Sequence, residues 1–287
     1  MKIAMTGASG RLGRSVAAAL GSVVAPSTVT LGTRNPASLE AFSEQGFRTA
    51  VADFDRPDTL EAAFEGADVV YIICGDAENV TRIRQHRNAI DAARKVGAGR
   101  VVYTSFVNPT SASLFPFARV HEDTERYLRD SGLPYTLLRN NHFAENLSGA
   151  LALAQDSGEL ALPGAHGKVA YISRSDVAAA TAGALTQPGH ENRCYEVCGP
   201  QPLDLFEVAG IAGRVWGRPV TGRDMGADEY RQLLERRGLP PYAVAAQVGI
   251  RLAAGAGEYA ATSTDAAILA RRPIGTVESF LRGLTQK

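Results

Sequence analysis

The chain has 287 residues, 45% of them hydrophobic and 21% charged, a balance that excludes disordered and fibrous classes and allows a sizeable core. Its 30 basic and 30 acidic residues cancel, so it lacks the positive field that attracts nucleic acid or an anionic membrane, and neither is expected as a partner. Cys74, Cys194 and Cys198 form an odd set without metal-ligand spacing, so no disulfide framework and no metal site are expected, and a reducing cytoplasm is the expected setting.

The first apolar run, residues 2–6, predicts a strand, and Lys2 enters it without the charged-then-apolar order of a signal peptide. Behind it stands "TGASGRLG", residues 6–13, opening a helix predicted over 11–20. A helix N-terminus offers free N–H groups and partial positive charge to a phosphate. Gly7 permits the tight turn, Gly10 lets the backbone approach a pyrophosphate, and Gly13 lets the helix pack close to the strand. Ser9, Arg11 and Leu12 complete the expected dinucleotide cradle, although a glycine-rich turn without a ligand has the same composition.

The second strand, residues 29–33, decides which dinucleotide. An NAD site carries an acidic residue here for the ribose hydroxyl, whereas "VTLGTRNP" presents Arg34 and no carboxylate. A guanidinium pairs with a 2'-phosphate and stacks on adenine, so NADP(H) is the expected cofactor; the alternative is a solvated turn arginine. The third strand, 48–52, delivers Asp53 and Phe54 to the adenine, and the fourth, 68–74, delivers Cys74 and Gly75 to the ribose, because ligands bind at the carboxyl ends of parallel strands. Cys74 has no cationic run beside it and reads as a packing residue rather than a reactive thiol.

Further strands are predicted over 100–105 and 135–138, with helices over 37–45, 58–64, 79–96 and 117–131. Runs such as "DVVYIIC" and "RVVYTS" lack polar alternation, as strands covered on both faces do. Past the sixth strand, "RNNHFAEN" lies at the carboxyl-end rim. Asn140 and Asn141 are expected at the cofactor, and His142, Phe143 and Phe106 around a flat substrate, with core packing as the alternative for both phenylalanines. Arg174 reads equally as a cofactor contact, a helix cap or a surface pair.

In the second half, "KVAYISRSDVAAATAGAL" predicts a strand entering a helix capped by Ser173 or Ser175, "CYEVCG" a further strand, and "LDLFEVAGIAGRVWG" a helix ending at Gly217. The expected fold is α/β: a doubly wound parallel-sheet Rossmann domain with a smaller, mostly helical C-terminal lobe. Residues 1–145 form the Rossmann domain, with about 168–200 returning to it, and 146–167 and 201–287 form the substrate-covering lobe. "RQLLERRGL" reads either as a partner helix of a homodimer or as a solvated face.

The motifs "TGASGRLG", "TRNP", "VVYTSF", "HEDTERYLRDSGLPYTLLRNNHFAEN" and "ISRSDVAAA" together resemble the NmrA-like branch of the atypical short-chain dehydrogenases over nearly the whole chain. The likeness is greatest to its quinone-reducing and triphenylmethane-dye-reducing members. The resemblance implies NADPH and hydride delivery to a quinone or similar conjugated small molecule. It also exposes a departure. Ordinary short-chain dehydrogenases use a Tyr-x-x-x-Lys pair, and the corresponding window here, "FARVH", holds Phe117 and His121. Phenylalanine transfers no proton, while Ser105 remains where the wider family's serine falls. His121 then reads either as proton donor or hydrogen-bond donor to the acceptor, or as a residue that holds the ribose or neighbouring backbone. Where the family's quinone reductases have a lysine this chain has Ser38, leaving Arg34 to carry most of the NADP preference and admitting some use of NADH. Two other readings share these residues: a nucleotide sensor that acts through a protein partner, and a sugar-nucleotide reductase or epimerase, which normally needs the missing tyrosine.

Overall fold

A computed structural model describes residues 1–285. Its first half alternates strand and helix: β1 (Ile3–Met5), α1 (Arg11–Gly21), β2 (Val29–Thr33), α2 (Glu40–Glu44), β3 (Arg48–Val51), α3 (Pro57–Phe64), β4 (Val69–Ile72), α4 (Asn79–Lys95), β5 (Arg100–Phe106), α5 (Ala118–Asp130) and β6 (Tyr135–Asn140). The second half adds α6 (Ser148–Ser157), β7 (Glu159–Leu162), α7 (Arg174–Thr186), β8 (Arg193–Val197), α8 (Leu205–Trp216), β9 (Thr221–Asp224), α9 (Ala227–Arg236), α10 (Pro241–Gly255), α11 (Asp265–Ala270) and α12 (Val277–Thr285).

A 7-stranded sheet runs in the order β3-β2-β1-β4-β5-β6-β8, with every pairing parallel. The fully buried Val69–Ile72 run shows why this strand lacks polar alternation: helices cover both of its faces. On one side, α1 and α7 contribute Val16, Leu20, Val177 and Leu185 to a shared core; on the other, α3, α4 and α5 contribute Phe64, Ile90 and Leu128. The chain reverses winding between β1 and β4, the switch point where doubly wound sheets open a crevice.

The lobe has its own core, in which Leu151, Leu160, Val208, Tyr230, Leu234 and Val248 meet. Leu234 belongs to the stretch that read as a partner helix, and the protein's own lobe buries it, with Leu233 and Leu239 packed against the same core. Ser173 caps α7, accepting from the Asp176 N–H at 3.1 Å.

The second half departs from expectation in three places. Residues 168–172 form no strand: Val169 N–H donates to Leu203, Ala170 N–H to Tyr259, and Ile172 N–H to His142. Donors that diverge to three segments cannot build a ladder. A parallel pair, β7 with β9, was not anticipated, because "TGRD" carries no apolar alternation and owes its strand to the neighbour. Finally, α11 buries Ala266 and Leu269 in the α1–α7 core, so part of the 201–287 stretch sits with the sheet. Among the described residues no helix is long and apolar enough to cross a membrane.

Candidate active site

The loop after β1 is built so that only glycine fits. Gly7 adopts φ +63°, and a Cβ on Gly13 would lie 2.2 Å from the Gly7 carbonyl oxygen. This close approach brings the start of α1 against the strand end, where no side chain caps the helix, leaving its first turn open to an anion. Ser9 is fixed by a 2.8 Å hydrogen bond between its hydroxyl and that of Thr33. Arg14, which the sequence did not single out, donates to the Ser9 and Ser38 carbonyls at 3.0 and 2.6 Å and ties the loop to the turn after β2.

These residues line a cleft of about 370 Å³ at the β1/β4 switch point. From the first loop come Gly7, Ser9, Gly10, Arg11, Leu12 and Gly13; Arg34 follows β2, Asp53 and Phe54 follow β3, and Cys74 and Gly75 follow β4. Thr33, Ile73 and Gln85 join them, unanticipated. Arg11 and Arg34 are exposed and enter no ion pair among the described residues. Asp53 also shapes its turn, accepting from the Asp55 N–H at 3.0 Å. An uncapped helix start, a glycine cradle and two unpaired guanidinium groups fit a pyrophosphate nucleotide that carries a further phosphate.

Asn140, Asn141, His142, Phe143, Phe106 and His121 do not line that cleft; the first five lie beyond it at the ends of β5 and β6, and His121 on α5 stacks against Phe106. The register places Phe106 beside Asn140. Ring contacts connect the two regions, from Phe54 to His86 at 6.1 Å, His86 to Tyr103 at 5.4 Å, Tyr103 to His121 at 5.9 Å, and His121 to Phe106 at 6.1 Å, stacked. Phe106 then meets His142 at 5.6 Å and Tyr259 at 5.4 Å. Phe143 stands under the Arg174 guanidinium, 5.4 Å from its ring centre, while the Arg174 N–H donates to Glu145. Phe117 is similarly covered by Arg82 at 3.9 Å.

Hydrogen bonds fix the protons of the buried histidines. Gly75 N–H donates to His86 Nε2 at 3.3 Å, so the His86 proton sits on Nδ1 and points to Thr124 Oγ1, 2.8 Å away. The Tyr103 hydroxyl therefore finds no acceptor at His86 and donates to His121 Nδ1 at 2.9 Å. His121 must then carry its proton on Nε2. Burial, followed by the Arg82 charge, pushes the His121 pKa from 6.5 down to about 3, so at neutral pH the ring is neutral and Nε2–H is its one hydrogen-bond donor.

Ser105 does not line that cleft. Side chains alternate along β5, so Tyr103 and Ser105 face α5, and Ser105 donates to Glu125 at 2.7 Å. Glu125 also receives Arg139 at 2.7 Å and Arg129 at 3.0 Å. This serine holds a buried ion cluster together. Asn141 is likewise committed, donating to the Tyr259 carbonyl at 3.0 Å while its Oδ1 accepts from the His142 N–H. Asn140 differs: both polar atoms of its side chain are buried without a partner, as are His142 Nε2 and the Tyr259 hydroxyl. Buried polar atoms without partners are what a bound ligand satisfies. Tyr259 was illegible in the sequence because "GEYA" carries no motif and reaches the site only through folding of the lobe.

A model of NAD(P)H-binding proteins matches residues 7–188. Quinone oxidoreductase 2 of Escherichia coli is 34% identical over 238 residues, 83% of this chain and 82% of that protein. Among solved structures, an Escherichia coli NADPH-dependent quinone oxidoreductase complexed with NADPH superposes with a TM-score of 0.92 at 31% identity, covering 99% of each chain. Triphenylmethane reductase from Citrobacter sp., complexed with NADP(H), gives 0.91 at 30% identity, again over 99% of each chain.

Proposed function

The chain belongs to the NAD(P)H-binding family, in its NmrA-like branch, and on that premise we propose that it is an NADPH-dependent reductase of quinones or related conjugated small molecules, dyes included. The observation that carries this reading is the glycine-cradled cleft with Arg34, rather than a carboxylate, at the end of β2. When bound, the reduced nicotinamide supplies the hydride. The open start of α1 would hold the pyrophosphate, and Arg34 with Arg11 the additional phosphate. Phe106, His142 and Phe143 form the aromatic side of the acceptor site, which orients a flat molecule by stacking. His121 presents Nε2–H as a fixed hydrogen-bond donor to the acceptor oxygen, and the proton that completes reduction comes from solvent. A planar acceptor tolerates this, so the absence of the tyrosine acid is no obstacle. Zero net charge supports a small-molecule partner over nucleic acid, and the free cysteines are compatible with the cytoplasm.

The test is loss of reduced-nicotinamide absorbance with purified protein across quinones, azo dyes and triphenylmethane dyes, alongside direct NADPH titration. Turnover with at least one acceptor is expected. Tight binding without turnover on any of them would overturn the reductase reading in favour of a sensor.

A further inference from the structure

The lobe contains a second cavity, of about 240 Å³, enclosed by α6, β7, β9, α9 and α10. Leu162, Met225, Tyr230 and Leu233 give it apolar walls. Its charges do not balance. Arg223 is used up by Glu159 at 2.7 Å and Glu229 at 3.1 Å. Arg251 is only 5% exposed, its Nε is buried without a hydrogen-bond partner, and it pairs with no carboxylate among the described residues. Arg237, exposed at the rim, has no ion pair either.

A guanidinium cannot shed its proton, so an interior one without a counter-charge is costly unless something anionic completes it. Arg251, which lines this cavity, is near enough to Tyr171 and His142 for its charge to act on both. Tyr171 and His142 are themselves in ring contact at 6.0 Å. The volume is just below the roughly 300 Å³ lower end of small-molecule pockets, room for a ring and its acid group rather than for a whole dye.

We propose that this cavity receives an anionic substituent of the electron acceptor, a carboxylate, sulfonate or phosphate on a one- or two-ring conjugated compound, with Arg251 as its counter-charge and Arg237 at its entrance. The proposal rests on the reductase reading and narrows its substrate class to acidic acceptors.

Two measurements separate the proposal from that reading. The first compares kcat/KM for naphthoquinone sulfonate and for uncharged menadione. The wild-type protein should favour the sulfonate by about tenfold or more, the strength of a charge-assisted hydrogen bond. Arg251→Gln should abolish that preference through KM, Arg251→Lys should retain part of it, and the exposed-site variant Arg237→Gln, which does not disturb the core, should weaken it. The second measures calorimetric binding of naphthalenesulfonate, which accepts no hydride, against naphthalenesulfonamide in the absence of cofactor. Binding of the sulfonate alone, lost in Arg251→Gln, supports the site even if neither quinone is reduced, in which case only the reductase reading falls. Equal use of both quinones by the wild type, or sulfonate binding indifferent to Arg251, overturns the proposal and leaves the reductase reading standing.

Discussion

Arg34 shows how much one side chain decides. It is exposed, it enters no ion pair, and it lines the cleft where an NAD-specific protein would place a carboxylate. Ser38 cannot share its task, since its hydroxyl donates to the Asn35 carbonyl at 2.6 Å. Arg34→Ala should therefore raise the Kd for NADPH by about 10- to 100-fold, the worth of a charge-assisted pair, and that for NADH by no more than about 3-fold. Fluorescence titration with the two cofactors measures both, and equal losses would contradict the phosphate assignment. Arg34 was legible because it directly follows a strand whose carboxyl end is the binding edge. Ser105 turns on a difference of the same scale: it shares the α5-facing side of β5 with Tyr103, but its hydroxyl donates to Glu125, whereas that of Tyr103 meets His121.

At the scale of elements, successive turns on one face of α5 carry different tasks. His121 stands in its first turns, oriented by Tyr103 on β5, whereas Glu125, one turn later, gathers Ser105, Arg129 and Arg139. Variants should separate the two turns. His121→Ala should lower kcat while leaving NADPH affinity close to wild type. Glu125→Gln should instead lower stability by about 3 kcal/mol, near the lower end for a broken buried pair because the Arg139 side chain keeps 25% exposure. Turnover kinetics and chemical denaturation read the two effects. A fall in denaturation midpoint with His121→Ala and unchanged kcat would return that histidine to a structural role. The helix itself was readable from its apolar spacing; its division of labour depends on which residue of β5 each turn meets, Tyr103 for His121 and Ser105 for Glu125.

Across the whole molecule, buried titratable groups couple stability to pH. Burial is the first cause that pushes His86, His121 and His142 below 6.5, with His121 reaching about 3. The unfolded chain takes up protons at these rings near pH 6.5 while the folded one does not, so stability falls as pH drops below that value, by about 1.4 kcal/mol per pH unit for each ring. Glu125 acts in the same direction. Burial raises its pKa, but its hydrogen bonds from Arg139 and Ser105 outweigh that and hold it below 4.5, so its stabilisation is lost as the pH falls through that lower value. Thermal melts from about pH 7.5 to about pH 5 should show a falling Tm that begins near pH 6.5. A flat profile would mean that these rings take up protons in the folded state.

The sequence by itself determined the parallel sheet, the glycine cradle, NADP(H) as the cofactor and most of the residues that line the cleft at the switch point of the sheet. In a doubly wound sheet each strand is followed at once by its binding loop, so residues adjacent in the chain are adjacent at the ligand. Only the tertiary structure decided the arrangement beyond the ends of β5 and β6, the side proposed for the acceptor. Tyr259 and Arg251 arrive from a lobe without a regular pattern, Asn140 is distinguished from Asn141 by the partners each lacks or finds, and the His121 tautomer follows from a hydrogen-bond chain running through three elements. These features depend on contacts between distant segments and on the burial that makes an unpaired charge or donor costly, and neither is encoded in local spacing.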